Sequence, residues 1–181
     1  MRLLTALTLT ILALVANGPC FAGEILTGTF VQQRFLVGFD KPMTSNGRFR
    51  LVPGERLVWE MVEPFASRIE ISREGITETV RGKETLKLPS SRFPALSLVL
   101  EIMDAALRRD WDAIERRFHV RPERNGDTWS LHFRPEGEHP GLPFSEIDLK
   151  GGEFVETVTL SRASGDRDVI RFRDVRRTED P

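Results

Sequence analysis

Residues 45–65 read SNGRFRLVPGERLVWEMVEPF. Two alternating runs flank the turn Pro53-Gly54-Glu55: Gly47, Phe49 and Leu51 alternate with Asn46, Arg48 and Arg50, and Leu57, Trp59 and Met61 then recur at every second position. A period of two puts each set on its own face of an extended strand. The segment therefore predicts a β-hairpin with the apolar faces Phe49-Leu51 and Leu57-Trp59-Met61 side by side. Pro64 ends the second strand, because proline cannot donate to a ladder. So much apolar surface on one side suits either a protein core or a ligand that is itself apolar.

Working outward, residues 25–34 form a strand with Leu26, Gly28, Phe30 and Gln32 on one side, and their β-branched neighbours support strand over helix. Residues 67–72 and 75–80 read as two more strands, with Ile69 and Ile71 sharing a side and a turn at Arg73-Glu74-Gly75. The period then changes. Leu96, Val99, Leu100, Met103 and Leu107 stand at helical spacing in residues 94–109, opened by Pro94. A second helix is predicted over 111–118, capped by Asp110, with Trp111, Ile114 and Phe118 inward.

Alternation resumes at Trp129, Leu131 and Phe133 after the turn Asn125-Gly126-Asp127, and a polar loop covers 135–143. Strands over 144–150, 153–162 and 169–175 follow, joined at Gly151-Gly152 and Ser164-Gly165-Asp166. The order is a β-meander, a helical insertion and a second β-meander, which predicts one antiparallel α+β domain over residues 23–181.

The first residues, MRLLTALTLTILALVANGPCFAGE, carry one positive charge at Arg2, an apolar run, the breaker Gly18-Pro19 and small residues up to Ala22. This is the pattern of a secretory signal peptide over 1–22, cut after Ala22 with Cys20 at the −3 position. Asn17, Gly18 and Pro19 lack the context that lipid modification of Cys20 needs. Cys20 is the only cysteine, so the mature chain has no disulfide and its stability must come from packing. A net charge of −1 without a basic block argues against nucleic acid as a partner.

Nothing in the pattern announces catalysis. Ser90-Ser91 lacks the glycines of a nucleophile elbow, Ser145 and Ser161 fall on strands, and His119, His132 and His139 have no metal-ligand spacing. The sequence predicts no enzyme, no metal and no cofactor. The unusual feature is the apolar supply: twelve phenylalanines and three tryptophans with no tyrosine, most of them on one face of a strand. If the sheet curls into an incomplete barrel, that face can line a cavity, and a solid core takes the same alternation equally well.

At this point the order of motifs resembles the periplasmic outer-membrane lipoprotein carriers, the LolA-like family. The matching positions are Phe30 and Gln32, then Ser45, Gly47 and Phe49, then Leu57 and Trp59, then Pro64, and Ile71, Ser72 and Gly75. The resemblance implies an antiparallel open, incomplete β-barrel covered by helices, with an apolar cavity that accepts acyl chains. It implies a lipid-binding set of Phe30, Phe49, Leu51, Leu57, Trp59, Met61, Ile69, Ile71, Leu131 and Phe133. It also implies partners: acyl chains of a lipoprotein, or a polyene lipid or glycolipid, as cargo, an inner-membrane release complex, an outer-membrane acceptor and transient membrane contact.

Two features depart from the family pattern. Only Gly23 and Glu24 separate the expected cleavage point from the first strand, which leaves no room for the family's N-terminal helix, and Arg56 is displaced by three residues from the family's turn arginine. With Lys41-Pro42-Met43 ahead of Ser45 and Gly47, these look like the divergent branch found beside fatty-acid-like or aryl-polyene biosynthetic enzymes. A sensing or interaction module of the same fold with a reduced cavity, a lipid-directed enzyme and a solid-core domain are the competing readings.

Overall fold

The computed structural model describes residues 25–92, 105, 110–118, 120, 122–134 and 144–178. The first meander is β1 (Ile25–Phe35), β2 (Met43–Val52), β3 (Arg56–Glu63), β4 (Ser67–Ser72), β5 (Gly75–Val80) and β6 (Lys83–Pro89). The second is β7 (Glu123–Asn125), β8 (Thr128–Phe133), β9 (Glu146–Gly151), β10 (Val155–Ser161) and β11 (Arg167–Thr178). β1 pairs antiparallel with β11, so the two meanders fuse into one eleven-stranded sheet in the order β6-β5-β4-β3-β2-β1-β11-β10-β9-β8-β7. The sheet is antiparallel throughout and open, with β6 and β7 as its edges.

The hairpin read from residues 45–65 is present in the expected register: Phe49 lies opposite Trp59 and Leu51 opposite Leu57. Gly47 is there because nothing larger fits. A Cβ on it would come within 2.0 Å of the Glu60 carbonyl oxygen and 2.8 Å of the Phe30 ring. β4 and β5 occupy the predicted residues.

β6 and β7 are strands that alternation does not announce. β6 is exposed along nearly its whole length and holds through its backbone pairing to β5. Its turn, Arg81-Gly82, has φ of 51° and 76°, the two positive values of the hairpin turn whose twist matches the flanking strands. β11 is longer than the predicted 169–175 because it follows β1 to its start, with a register shift at Thr27/Thr29 and Asp174 at a φ of 53°.

One part of the inner sheet face is filled. The helix α1 (Trp111–Phe118) begins as predicted, with the Asp110 carbonyl accepting from the Ile114 N–H at 3.2 Å. Ile114 is wholly buried in one cluster with Leu26, Leu51, Trp129, Leu131 and Leu149, and the Trp111 ring lies 4.6 Å from that of Trp129. Of the helix predicted over 94–109, Ala105 is helical and buried, and the rest lies outside the described residues. So do the predicted signal peptide, the loop 135–143, His119 and His139.

Candidate functional site

Next to that packed cluster, and sharing Leu57, Ile147, Leu149 and Val158 with it, the described residues of the inner face frame a cleft of about 250 Å³. Each strand contributes residues two apart, as the pleat requires: Leu57 and Trp59 from β3, Ile69 and Ile71 from β4, Ile147 and Leu149 from β9, Val158 and Leu160 from β10, Ile170 and Phe172 from β11. Register aligns them into rows, with Trp59 opposite Ile69, Leu149 opposite Val158, and Val158 opposite Ile170. Phe144 adds to the wall, and among the described residues its one polar member is Gln32 of β1.

Four rings make the centre of the site rigid. Trp59 stacks on Phe30 at 3.7 Å between centroids, and Phe172 meets Trp59 at 5.9 Å and Phe49 at 5.2 Å, both edge to face. Offset and edge-to-face contacts add roughly 0.5–1.5 kcal/mol each beyond their buried area. Phe30 is 1% exposed and Phe49 5%, so these two support the half-buried Trp59 from beneath.

A second hollow of about 760 Å³ shares Gln32, Trp59 and Ile69 with the first. It adds Met43, Met61, Phe65 and Val80 as apolar lining, and Arg34 and Glu78 as charged lining. Phe65, 77% exposed, and Met43 stand at its margin.

Of the residues singled out in the sequence, Leu57, Trp59, Ile69 and Ile71 line the cleft, and Met61 lines the second hollow. Phe30 and Phe49 back Trp59, while Leu51, Leu131 and Phe133 belong to buried core. The second-meander wall, Phe144 through Phe172, was not singled out. Its alternation is visible in the sequence, but only the β1–β11 pairing turns that face towards Trp59.

Where the apolar lining stops, a polar network begins. Asp168 of β11 is 1% exposed. It accepts from Arg34 Nε at 2.7 Å, Gln32 Nε2 at 3.0 Å and Arg162 Nη2 at 2.6 Å. Burial pushes its carboxyl up, but the hydrogen bonds from Arg34, Gln32 and Arg162 outweigh this and hold it below the ordinary value of 3.8. The Arg162 guanidinium lies 5.2 Å above the Phe144 ring, which ties the network to the cleft wall.

Elsewhere His132 Nδ1 lies 2.7 Å from Asp148 Oδ1, with both side chains exposed on the sheet face opposite to Leu131 and Phe133. Among the described residues no three His, Cys, Asp or Glu side chains converge as metal ligands. The arrangement can bury an apolar chain between two sheet halves and meet a polar group at one end.

No protein-family model matches the chain, and no curated protein does. Among solved structures it is similar to a LolA superfamily protein from Nitrosomonas europaea, with a TM-score of 0.47 and 10% identity over 88% of both chains. It is also similar to an outer membrane lipoprotein-sorting protein domain from Vibrio parahaemolyticus, with a TM-score of 0.39 and 10% identity over 87% of this chain and 86% of that one.

Proposed function

We propose that this protein is a periplasmic carrier that shields the acyl chains of a lipoprotein or lipid in the cleft between its two sheet halves during transport towards the outer membrane. The observation that carries this reading is the cleft wall, apolar in every described lining side chain except Gln32. An acyl chain in water gains about 0.8 kcal/mol for each CH₂ it buries, so passage through an aqueous compartment calls for a wall of this kind. The lining suits release as well as capture. Met43 and Met61 at the second hollow are unbranched and adapt to irregular cargo.

Carriage needs no covalent step, and the protein is proposed to be non-enzymatic. The periplasmic location rests on the signal-peptide pattern of residues 1–22. An inner-membrane release complex and an outer-membrane acceptor are the partners this role requires. The cargo is an acylated protein or a polyene lipid or glycolipid, the latter favoured by the sequence departures at Lys41-Pro42-Met43 and Arg56.

A cleft of about 250 Å³ favours a second reading, a lipid-sensing or interaction module with a reduced cavity, since small-molecule sites span about 300–1,000 Å³. Native mass spectrometry with lipid extraction, on protein purified from its own host's periplasm, separates the two. A bound acyl or polyene species near one per chain is the expected result. Apo protein that also refuses a fluorescent fatty-acid probe would sink the carrier.

A further inference from the structure

We propose that Arg34, braced by Asp168, forms a subsite for the anionic head, carboxylate or phosphate, of an amphiphile whose tail lies in the apolar cleft; this rests on the cleft reading above. The inner faces of β1, β10 and β11 run from apolar to polar along one direction. On β11, Phe172 and Ile170 line the cleft and Asp168 follows; on β10, Leu160 lines it and Arg162 follows; on β1, Phe30 is followed by Gln32 and Arg34. Two guanidinium groups thus meet one carboxylate at the end of an otherwise apolar wall.

What a ligand meets there is the cation and not the anion. Asp168 is buried, whereas the Arg34 side chain is 43% exposed and lines the second hollow beside Trp59. Arg34 spends Nε and, at 3.4 Å, Nη2 on Asp168, and its Nη1 edge has no partner among the described residues. The Asp168 contact fixes the guanidinium plane, so a head group does not have to order a floppy side chain. Gln32 stands at both hollows, which places the subsite where a chain leaving the cleft past Trp59 would bring its head.

Among the described residues, Asp166 and Glu78 are the other acidic groups nearby. Asp166 is turned to the Val37 N–H at 2.9 Å and the Ser164 hydroxyl at 2.9 Å and lines neither hollow. Glu78 lines the second hollow and accepts from the Thr85 hydroxyl at 3.3 Å. It is the group that would favour a cationic head instead, and the test includes that outcome.

Hexadecanoate, hexadecanol and hexadecylamine carry the same tail with an anionic, neutral and cationic head, and their displacement of a bound fluorescent fatty-acid probe can be compared on the full chain. Hexadecanoate is expected to bind about tenfold to a hundredfold tighter than hexadecanol, the range of one or two charge-assisted hydrogen bonds. Arg34→Gln should bring it down to the alcohol's affinity while leaving hexadecanol binding unchanged, and Arg34→Lys should restore part of the difference. Inorganic phosphate without a tail should displace nothing at millimolar concentration.

Equal binding of acid and alcohol, or tightest binding of the amine, would overturn the head-group subsite while leaving the cleft reading intact. Displacement by inorganic phosphate would overturn it in favour of a free-anion site. Binding of none of the three long-chain ligands would overturn the cleft reading itself. Arg34→Gln keeps Gln32 and Arg162 on Asp168, and its circular dichroism spectrum against the unmodified chain separates loss of the subsite from loss of the fold.

Discussion

Trp59 and Phe30 touch face to face yet answer to different demands. Phe30 is fully buried, and Phe30→Ala should cost about 3–5 kcal/mol, read as a lowered denaturation midpoint. Trp59 is half-buried at the cleft wall, so Trp59→Ala should abolish uptake of a fluorescent fatty-acid probe while costing less stability than Phe30→Ala. Asp168 gives a pH signature. Its folded carboxyl titrates below its ordinary 3.8, so its contribution is full above that value and is lost as pH falls through the depressed one. Arg162→Gln, which removes one of its partners, should therefore narrow the stability gap between pH 6 and pH 3 in paired denaturant melts. The sequence showed at this scale which side chains share a face. It could not show that Phe30 lies opposite Phe172, because alternation names the side of a strand and not its neighbour.

Strands are legible in proportion to how much apolar surface they bury. β3, β4 and α1 follow from periodicity because each carries a recurring apolar face, Leu57 and Trp59, Ile69 and Ile71, and Trp111 and Ile114, that is buried or half-buried against the sheet interior. β6 and β7 lie at the sheet edges, are largely exposed, and bear charge as an edge strand must to discourage pairing with other chains. Gly82, in the turn that leads into β6, and Gly47, inside β2, show two different reasons for glycine. Gly82 has a φ of 76° with open space around it, so Gly82→Ala should cost only the left-handed backbone, about 1–2 kcal/mol. Gly47 has no such φ but faces the Glu60 carbonyl at 2.0 Å from where a Cβ would sit, and Gly47→Ala must push β3 away from β2. Thermal melts should show the larger loss at Gly47, together with loss of probe binding, because Trp59 sits on the displaced strand.

The whole sheet hinges on one long-range pairing, between β1 and β11. Residue 25 lies opposite residue 178, and ten such pairs join the meanders. Hydrogen exchange should be slowest at β1, β2, β10 and β11 and fastest at β6 and β7, and the reverse order would contradict this architecture. That pairing was the least legible feature of the chain, since sequence distance says nothing of which two strands meet across the widest separation. It also sets a timetable. Synthesis runs from residue 25 towards residue 178, so β1 waits for nearly the entire chain before its second neighbour exists, and contacts of such separation form late. Every other pairing joins strands adjacent in sequence, so each meander can zip up from its own turns while the seam between them waits for β11, and the two halves meet as preformed partners.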